Sequence, residues 1–234
     1  MTQATDFEFR NRWWLFAVIY GVSFFTFAFD HQALAQRLAN SLAAHGQQDS
    51  ALRLIFGCGI ILMIAASAIR TWGSAYLGRE VVHDAAVHSE TLNADGPYRY
   101  LRNPLYFGNI IMAVALAPVA PLPGSVLILG GIPLFCYRLI GREEASLEAE
   151  QGEGFRAYMR SVPRLLPSLR ARIPSSGRHA DWKNGISSEA YFWSFALGYV
   201  GFALTLNIVW LYAGFAASPL LSWAADKLLS TKPR

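Results

Sequence analysis

Charged residues are scarce in this chain, and their scarcity argues against an ordinary soluble domain. Asp, Glu, Lys and Arg make up 15% of the 234 residues, while 53% are hydrophobic. A typical soluble domain carries roughly 25% charged residues. The hydrophobic residues lie in long uncharged runs and not at the spacing of amphipathic helices. The sequence therefore predicts an all-α integral membrane protein with about five spanning helices.

Cysteine and metal-ligand patterns are also lacking. The two cysteines, Cys58 and Cys136, lie inside apolar runs, where a free thiol behaves as a small hydrophobe. Two cysteines form neither a disulfide framework nor a zinc pattern. His83 and His88 lie five positions apart, which does not place both on one helix turn as metal ligands. We predict no metal.

Other classes are excluded by missing signals. The net charge of +4 comes from basic residues beside the apolar runs, with no nucleic-acid-binding module, so no nucleic-acid partner is expected. Asp6 and Glu8 precede the first run and no small-residue cleavage site follows it, which is a poor fit to a signal peptide. We expect the first run to stay in place.

The apolar runs predict the spans. The segment 105–137 holds 33 residues without a charge, too long for one crossing of a hydrocarbon core about 30 Å thick. Prolines at 118, 121 and 123 near its middle predict a hairpin of two short spans. In the segment 190–225, Pro219 predicts one full span followed by a short amphipathic piece, although 36 residues nearly suffice for two spans. The remaining predicted spans are Trp13 to Phe29 and Leu54 to Ile69.

Lysine and arginine predict the orientation. With a cytoplasmic N-terminus, 15 of the 20 basic residues lie in cytoplasmic segments, as the positive-inside rule requires. This places the polar segments 70–104 and 138–189 on one face. We predict three stretches: 1–67 with the first two spans, a core over 68–172, and 173–234 with a linker, the last span and an amphipathic tail.

Two separated motifs carry the chemistry. The first reads Asp-Gly-Pro-Tyr-Arg-Tyr-Leu-Arg-Asn-Pro-Leu-Tyr-Phe-Gly over 95–108, and the second has Glu143 and Glu144 followed by Gly152, with Val-Pro-Arg-Leu-Leu-Pro at 162–167 closing the pattern. Over about 68–167 the chain resembles the isoprenylcysteine carboxyl methyltransferase and phospholipid methyltransferase superfamily of membrane enzymes. In that family Gly-Pro-Tyr precedes Arg-His-Pro-x-Tyr-x-Gly, and a Glu-Glu pair follows the hairpin.

The resemblance implies a cytoplasmic site for S-adenosylmethionine and a methyl acceptor that is amphiphilic or lipid-like, of the prenyl-cysteine carboxylate, phospholipid amine or small-thiol type, entering from the bilayer. The implied catalytic residues are Glu143, Tyr106 and Arg138. Arg102 is suited to a cofactor carboxylate, and Gly108 to close approach of backbone. The implied cofactor-binding residues are Tyr98, Arg102, Asn103, Pro104, Tyr106, Gly108, Glu143 and Glu144.

One residue departs from the family pattern. Asn103 stands where the family usually has His, and an amide hydrogen-bonds but does not titrate near neutral pH. This favours a binding role for Asn103, and His83 or His88 is then a candidate base. Two alternatives stay open: a nicotinamide-dependent sterol-type reductase, whose family shares a similar hairpin motif, and a non-catalytic membrane scaffold of the same fold.

Overall fold

The computed structural model describes residues 3–42, 46–77 and 94–229. Within these ranges the chain is helical and forms no β-strand beyond an isolated bridge between Ala33 and Pro121, which confirms the all-α prediction. The helices are α1 (Asp6–Arg10), α2 (Arg12–Phe25), α3 (Leu34–Leu42), α4 (Gln48–Ser74), α5 (Pro104–Leu116), α6 (Leu122–Gln151), α7 (Glu153–Ser161), α8 (Trp182–Ser188), α9 (Ala190–Thr205) and α10 (Val209–Leu229).

Two of the described helices, α4 with 27 residues and α6 with 30, are long and apolar enough to cross a membrane. Shorter apolar helical stretches cover Arg12–Ala28, Pro104–Val119 and Ala190–Thr205. Large hydrophobic side chains such as Ile61, Leu134 and Phe215 face outward and are more than half exposed, as expected for a surface solvated by lipid. These features support association with a membrane, and the count of five spans stays a prediction.

The hairpin between α5 and α6 forms at the predicted prolines. A 3-10 turn over Ala117–Val119 follows α5, and Pro121 precedes α6. The Ser125 hydroxyl donates to Ala117 O at 2.6 Å, and Leu34 N donates to Ala120 O at 2.8 Å. The Ala117 carbonyl, which loses its helical donor at Pro121, and the Ala120 carbonyl both have partners, as buried backbone requires.

The C-terminal region differs from the prediction. The chain breaks at Leu206, which adopts a left-handed conformation with φ of 55°, and Asn207 Oδ1 then accepts from Val209 N at 3.0 Å. Pro219 lies inside α10, so the predicted helix end at this residue was wrong. The proline removes the N–H that would bond Phe215 O, and the Ser218 hydroxyl donates to that carbonyl at 2.8 Å instead.

Helices α9 and α10 pack as an antiparallel pair, referred to below as the C-terminal hairpin. Gly198 and Gly214 face each other so closely that a Cβ on either would lie 2.8 Å from the Cα of the other. On its other side α9 packs against α4, and Tyr199 donates to Ala115 O of α5 at 3.0 Å. Tyr199 is fully buried with Met63 of α4 in the main apolar core.

Polar segments meet at one end of the bundle. Asn184 of α8 donates to Ser74 O at the end of α4 at 3.1 Å, and Arg102 N donates to Pro163 O at 2.9 Å. Ala4 N, from the N-terminal segment, donates to Arg138 O at 3.0 Å. The described parts of the two polar segments therefore share one face, and its assignment to the cytoplasm stays a prediction.

Candidate functional site

The first motif is fixed by a buried carboxylate. Asp95 accepts from Ser175 Oγ at 2.6 Å, from Ser176 N at 3.0 Å and from Arg178 N at 3.0 Å. The hydrogen bonds from the Ser175 and Ser176 hydroxyls hold the pKa of Asp95 well below its usual range. The stretch predicted as a linker after residue 172 thus packs directly on the motif.

The closing Val-Pro-Arg-Leu-Leu-Pro segment lies alongside the same motif. Besides the Arg102 to Pro163 bond, Ser168 N donates to Tyr100 O and Arg172 N donates to Arg99 O, both at 2.9 Å. Pro104 then occupies the first turn of α5, where its missing N–H costs nothing. The backbone on both sides of Arg102 is therefore held before the helix begins.

A charged cluster forms around Glu144. The Arg102 Nε lies 3.1 Å from Glu144 Oε1, Arg164 Nε donates to Glu144 Oε2 at 2.8 Å, and Asn103 Nδ2 donates to Glu144 Oε1 at 3.3 Å. Arg102 Nη1 also donates to Met159 O at 2.7 Å. We call Arg102, Asn103, Glu144 and Arg164 the arginine cluster. Its two guanidiniums and single carboxylate carry one net positive charge.

A second contact lies one residue earlier on α6. The Tyr106 hydroxyl donates to Glu143 Oε1 at 2.6 Å, a short bond of the kind a carboxylate accepts. Arg12, at the start of α2, acts electrostatically on both groups. The motif tyrosine and the first motif glutamate are therefore in direct contact, although 37 positions separate them in sequence.

Tyr98 and Gly108, two of the predicted cofactor-binding residues, pack closely against other parts of the protein. Tyr98 is 8% exposed, its carbonyl accepts from Tyr158 Oη at 2.9 Å, and burial raises the pKa of its own hydroxyl. At Gly108 a Cβ would lie 2.4 Å from Cγ of Arg70. In this structure the open side of Gly108 is occupied by the Arg70 side chain.

Arg138 has a protein partner. Its Nη2 donates to Glu8 Oε2 at 2.7 Å, and this bond together with the Thr5 backbone bond lowers the pKa of Glu8 to about 2. On the next turn, Arg142 Nη2 lies 2.5 Å from Asp6 Oδ1. The N-terminal segment Ala4–Arg10, which we call the N-terminal strap, is thus fastened to α6 beside Glu143.

Three charged residues near the site were not predicted as site residues. Arg12 and Arg70 flank predicted spans, and Glu189 directly precedes the uncharged segment 190–225. In the structure Arg70 and Glu189 form an ion pair with Nε to Oε2 at 2.6 Å. A charged residue at the very edge of an apolar run is the one sequence signal shared by all three.

The histidines proposed as alternative bases, His83 and His88, lie outside the described residues, as does the neighbouring Asp84. Within 3–42, 46–77 and 94–229, no group of three or more His, Cys, Asp or Glu side chains lies close enough to hold a metal ion.

The structure has an apolar helical hairpin with ion-paired arginine and glutamate side chains at one end. These features are typical of membrane-associated helical proteins with a polar site at the helix ends. Within this class, the model of the isoprenylcysteine carboxyl methyltransferase family matches residues 59–149, and this match confirms the resemblance over these residues. The match includes the first motif and the Glu143–Glu144 pair, and it ends before Gly152, α7, Arg164 and Glu189. No curated protein and no solved structure matches the chain.

Proposed function

We propose that this protein is an S-adenosylmethionine-dependent methyltransferase that acts on an amphiphilic, lipid-like acceptor. The observation that carries the proposal is that two neighbouring groups differ in charge, namely the Glu143 carboxylate and the net positive arginine cluster around Glu144. Glu143 bonds Tyr106, whereas Glu144 lies inside the positive arginine cluster. A zwitterionic cofactor with a carboxylate at one end and a cationic sulfonium carries the complementary pattern.

The donor set fits such a cofactor. The buried Arg102 Nε has no hydrogen-bond acceptor in good geometry among the described residues, despite its nearness to Glu144. A second guanidinium, that of Arg164, shares the same carboxylate. The cluster therefore retains positive charge and donor capacity for an anionic group such as the cofactor carboxylate. In this assignment Asn103 and Glu144 hold the arginines in place.

The bound cofactor supplies an electrophilic methyl group, transferred by in-line displacement from sulfur. The protein then has to orient the cofactor and the methyl acceptor, and it forms no covalent bond with either. Tyr106 fixes Glu143 through its short hydrogen bond, so that the carboxylate faces one defined direction. A methyl acceptor that is an amine or a thiol must lose a proton, and Glu143 is the candidate base. A carboxylate as methyl acceptor needs no base.

Arg138 takes part only under one condition. Its guanidinium is held by Glu8 of the N-terminal strap, so contact with an acceptor headgroup requires that this bond opens. Tyr98, Pro104 and Gly108 support the site through buried backbone and packing. The acceptor reaches the site from the lipid, and the site faces the cytoplasm, where the cofactor is made.

Methyl transfer tests the proposal directly. The full-length protein in vesicles is incubated with methyl-labelled S-adenosylmethionine and either total lipid extract or a small thiol. We expect label in one acceptor fraction, lost with Glu143→Gln. Glu148→Gln is the matched control, because Glu148 lies on the same helix but pairs with the exposed Arg156 at 2.7 Å.

Failure has a defined form. Folded wild-type protein that labels no lipid or thiol above empty vesicles contradicts the methyltransferase and leaves the scaffold. A fluorescence change on addition of NADPH to the same protein identifies the reductase alternative instead. Equal loss of labelling with Glu143→Gln and Glu148→Gln removes Glu143 from the site.

A further inference from the structure

A buried ion pair crosses the molecule next to the site. Arg70 of α4 is 2% exposed and Glu189, directly before α9, is 0% exposed. Arg70 Nε and Nη2 donate to the two Glu189 oxygens at 2.6 and 3.1 Å, a bidentate geometry. Ser74 Oγ also donates to Glu189 at 2.6 Å. The Glu189 carboxylate is thereby fully engaged.

The same guanidinium reaches the motif helix. Arg70 Nη1 donates to Leu105 O at 3.0 Å and to Asn109 Oδ1 at 2.9 Å. These acceptors lie on α5, directly before and one turn after Tyr106. Arg70 therefore has one arm on the first turn of α5 and another on the C-terminal hairpin, where Nη2 donates to Tyr191 Oη at 2.7 Å.

The motif glycine gives this arrangement its room. A Cβ at Gly108 would lie 2.4 Å from Arg70 Cγ and 3.2 Å from Ala66 O, so any side chain there displaces Arg70 or separates α4 from α5. The stem of Arg70 passes over the glycine to reach Asn109. Gly108, which the family resemblance assigned to cofactor binding, is in this structure covered by the side chain of the buried Arg70.

Stability alone is a weak reason to bury such a pair. Replacing buried ion pairs by apolar residues of similar size is often neutral or stabilising, whereas removing one partner is costly. What an apolar replacement cannot do is fix the rotation of α5 through directed bonds to Leu105 O and Asn109. The geometry, and not the burial, is then the property that the pair contributes.

We propose that Arg70 and Glu189 are positioning residues that fix the first turn of α5, and with it Tyr106, against the C-terminal hairpin. This makes the chain beyond the family match part of the working unit. The consequence for methyl transfer rests on the proposed function. The consequence for the order of α5 does not depend on any cofactor, so the two are tested separately.

The experiment cuts one arm of Arg70 at a time in the full-length protein. Asn109→Ala removes an acceptor on α5, and Tyr191→Phe removes a partner on α9, so each variant costs the same guanidinium one hydrogen bond. Asn109→Asp keeps the acceptor and is the rescue variant. The first readout is hydrogen–deuterium exchange of the peptide covering 102–110 without cofactor, and the second is the affinity for S-adenosylmethionine.

We expect Asn109→Ala to accelerate exchange over 102–110 by about tenfold, the equivalent of one charge-assisted hydrogen bond, and to weaken cofactor binding by a similar factor. Tyr191→Phe and Asn109→Asp are expected to stay within about twofold of wild type. Equal exchange in Asn109→Ala and Tyr191→Phe overturns the proposal. A folded Arg70→Met/Glu189→Leu variant with wild-type exchange overturns it as well, because the pair is then only structural. Altered exchange in a protein that binds no cofactor sinks the proposed function alone.

Discussion

The contact between Tyr106 and Glu143 joins the two motifs, as does the contact between Asn103 and Glu144. Tyr106 lies in the first turn of α5, and Glu143 follows the hydrophobic half of α6. The hairpin brings the Tyr106 hydroxyl within 2.6 Å of the Glu143 carboxylate. Neither side chain reaches its position without the turn at the prolines. A hydroxyl bonded to a carboxylate both orients it and reduces its freedom.

Tyr106→Phe is therefore expected to preserve the fold and reduce methyl transfer by about tenfold to a hundredfold, the range for one hydrogen bond to a charged group. The measurement is the turnover rate at saturating cofactor, with helix content by circular dichroism as the check on folding. Tyr212→Phe is the matched control, because Tyr212 is 68% exposed. Unchanged turnover in Tyr106→Phe would show that Glu143 needs no such support.

The motifs allowed some residue contacts to be anticipated and concealed others. Tyr106, Arg102 and the glutamate pair meet because two family motifs bracket one hairpin, which is visible in the sequence. Arg70 and Glu189 lie 119 positions apart, and nothing in spacing or composition joins an arginine at the end of one span to a glutamate before another. The contact between Gly108 and Arg70 could not be predicted for the same reason, since the side chain beside Gly108 comes from a distant helix.

Among the elements, the N-terminal strap is held both by ion pairs and by the packing of Ala4 and Phe9 against Phe135 and Leu139. Glu8 and Asp6 bind Arg138 and Arg142 of α6, and a capping box at Thr5 and Glu8 starts the short α1. A helix of 5 residues has little stability of its own. Its attachment therefore depends in part on the charge of these carboxylates.

Acid is expected to weaken the attachment of the strap. The folded-state pKa of Glu8 lies near 2, below its ordinary value of 4.5, so its contribution is full above the ordinary value and is lost as the pH falls towards 2. The measurement is the thermal midpoint of wild type minus that of Glu8→Gln. This difference should be constant above about pH 5 and vanish towards about pH 2. A difference that persists or grows in acid contradicts the assignment.

The C-terminal hairpin is held by close backbone contact between its two helices. Gly198 and Gly214 let α9 and α10 approach within backbone distance, the small-residue packing common between helices in lipid. Gly198→Leu is expected to lower the thermal midpoint by several degrees, since overpacking costs about 1–3 kcal/mol. Gly130→Leu, where a Cβ meets nothing within 4 Å, is the control and should leave the midpoint nearly unchanged.

The helix ends predicted from prolines are correct at the hairpin between α5 and α6 and wrong at Pro219. Pro118, Pro121 and Pro123 mark the hairpin between α5 and α6 because three prolines within six residues remove several backbone N–H donors at once. Pro219 does not end α10, because Ser218 bonds the carbonyl that the proline leaves open. The actual break at Leu206 has neither glycine nor proline and depends on the side chains of Thr205 and Asn207.

At the scale of the whole molecule, the family-matched part of the chain and the part beyond it converge on one end of the bundle. The matched helices α4, α5 and α6 supply Arg70, Tyr106 and Glu143. Segments beyond residue 149 supply Arg164 and Glu189. A site assembled from both parts should lose its function if either part is removed. The assembly also accounts for the polar segments on each side of the hairpin sharing one face.

Calorimetric titration of the purified full-length protein with S-adenosylmethionine tests the central claim most directly. The account predicts saturable binding at one site per chain, weakened at least about tenfold by Arg102→Ala and by Glu143→Ala, each of which removes one charged partner of the cofactor. Glu148→Ala should bind as wild type does. Folded wild-type protein that releases no heat of binding, or variants that bind unchanged, would contradict it.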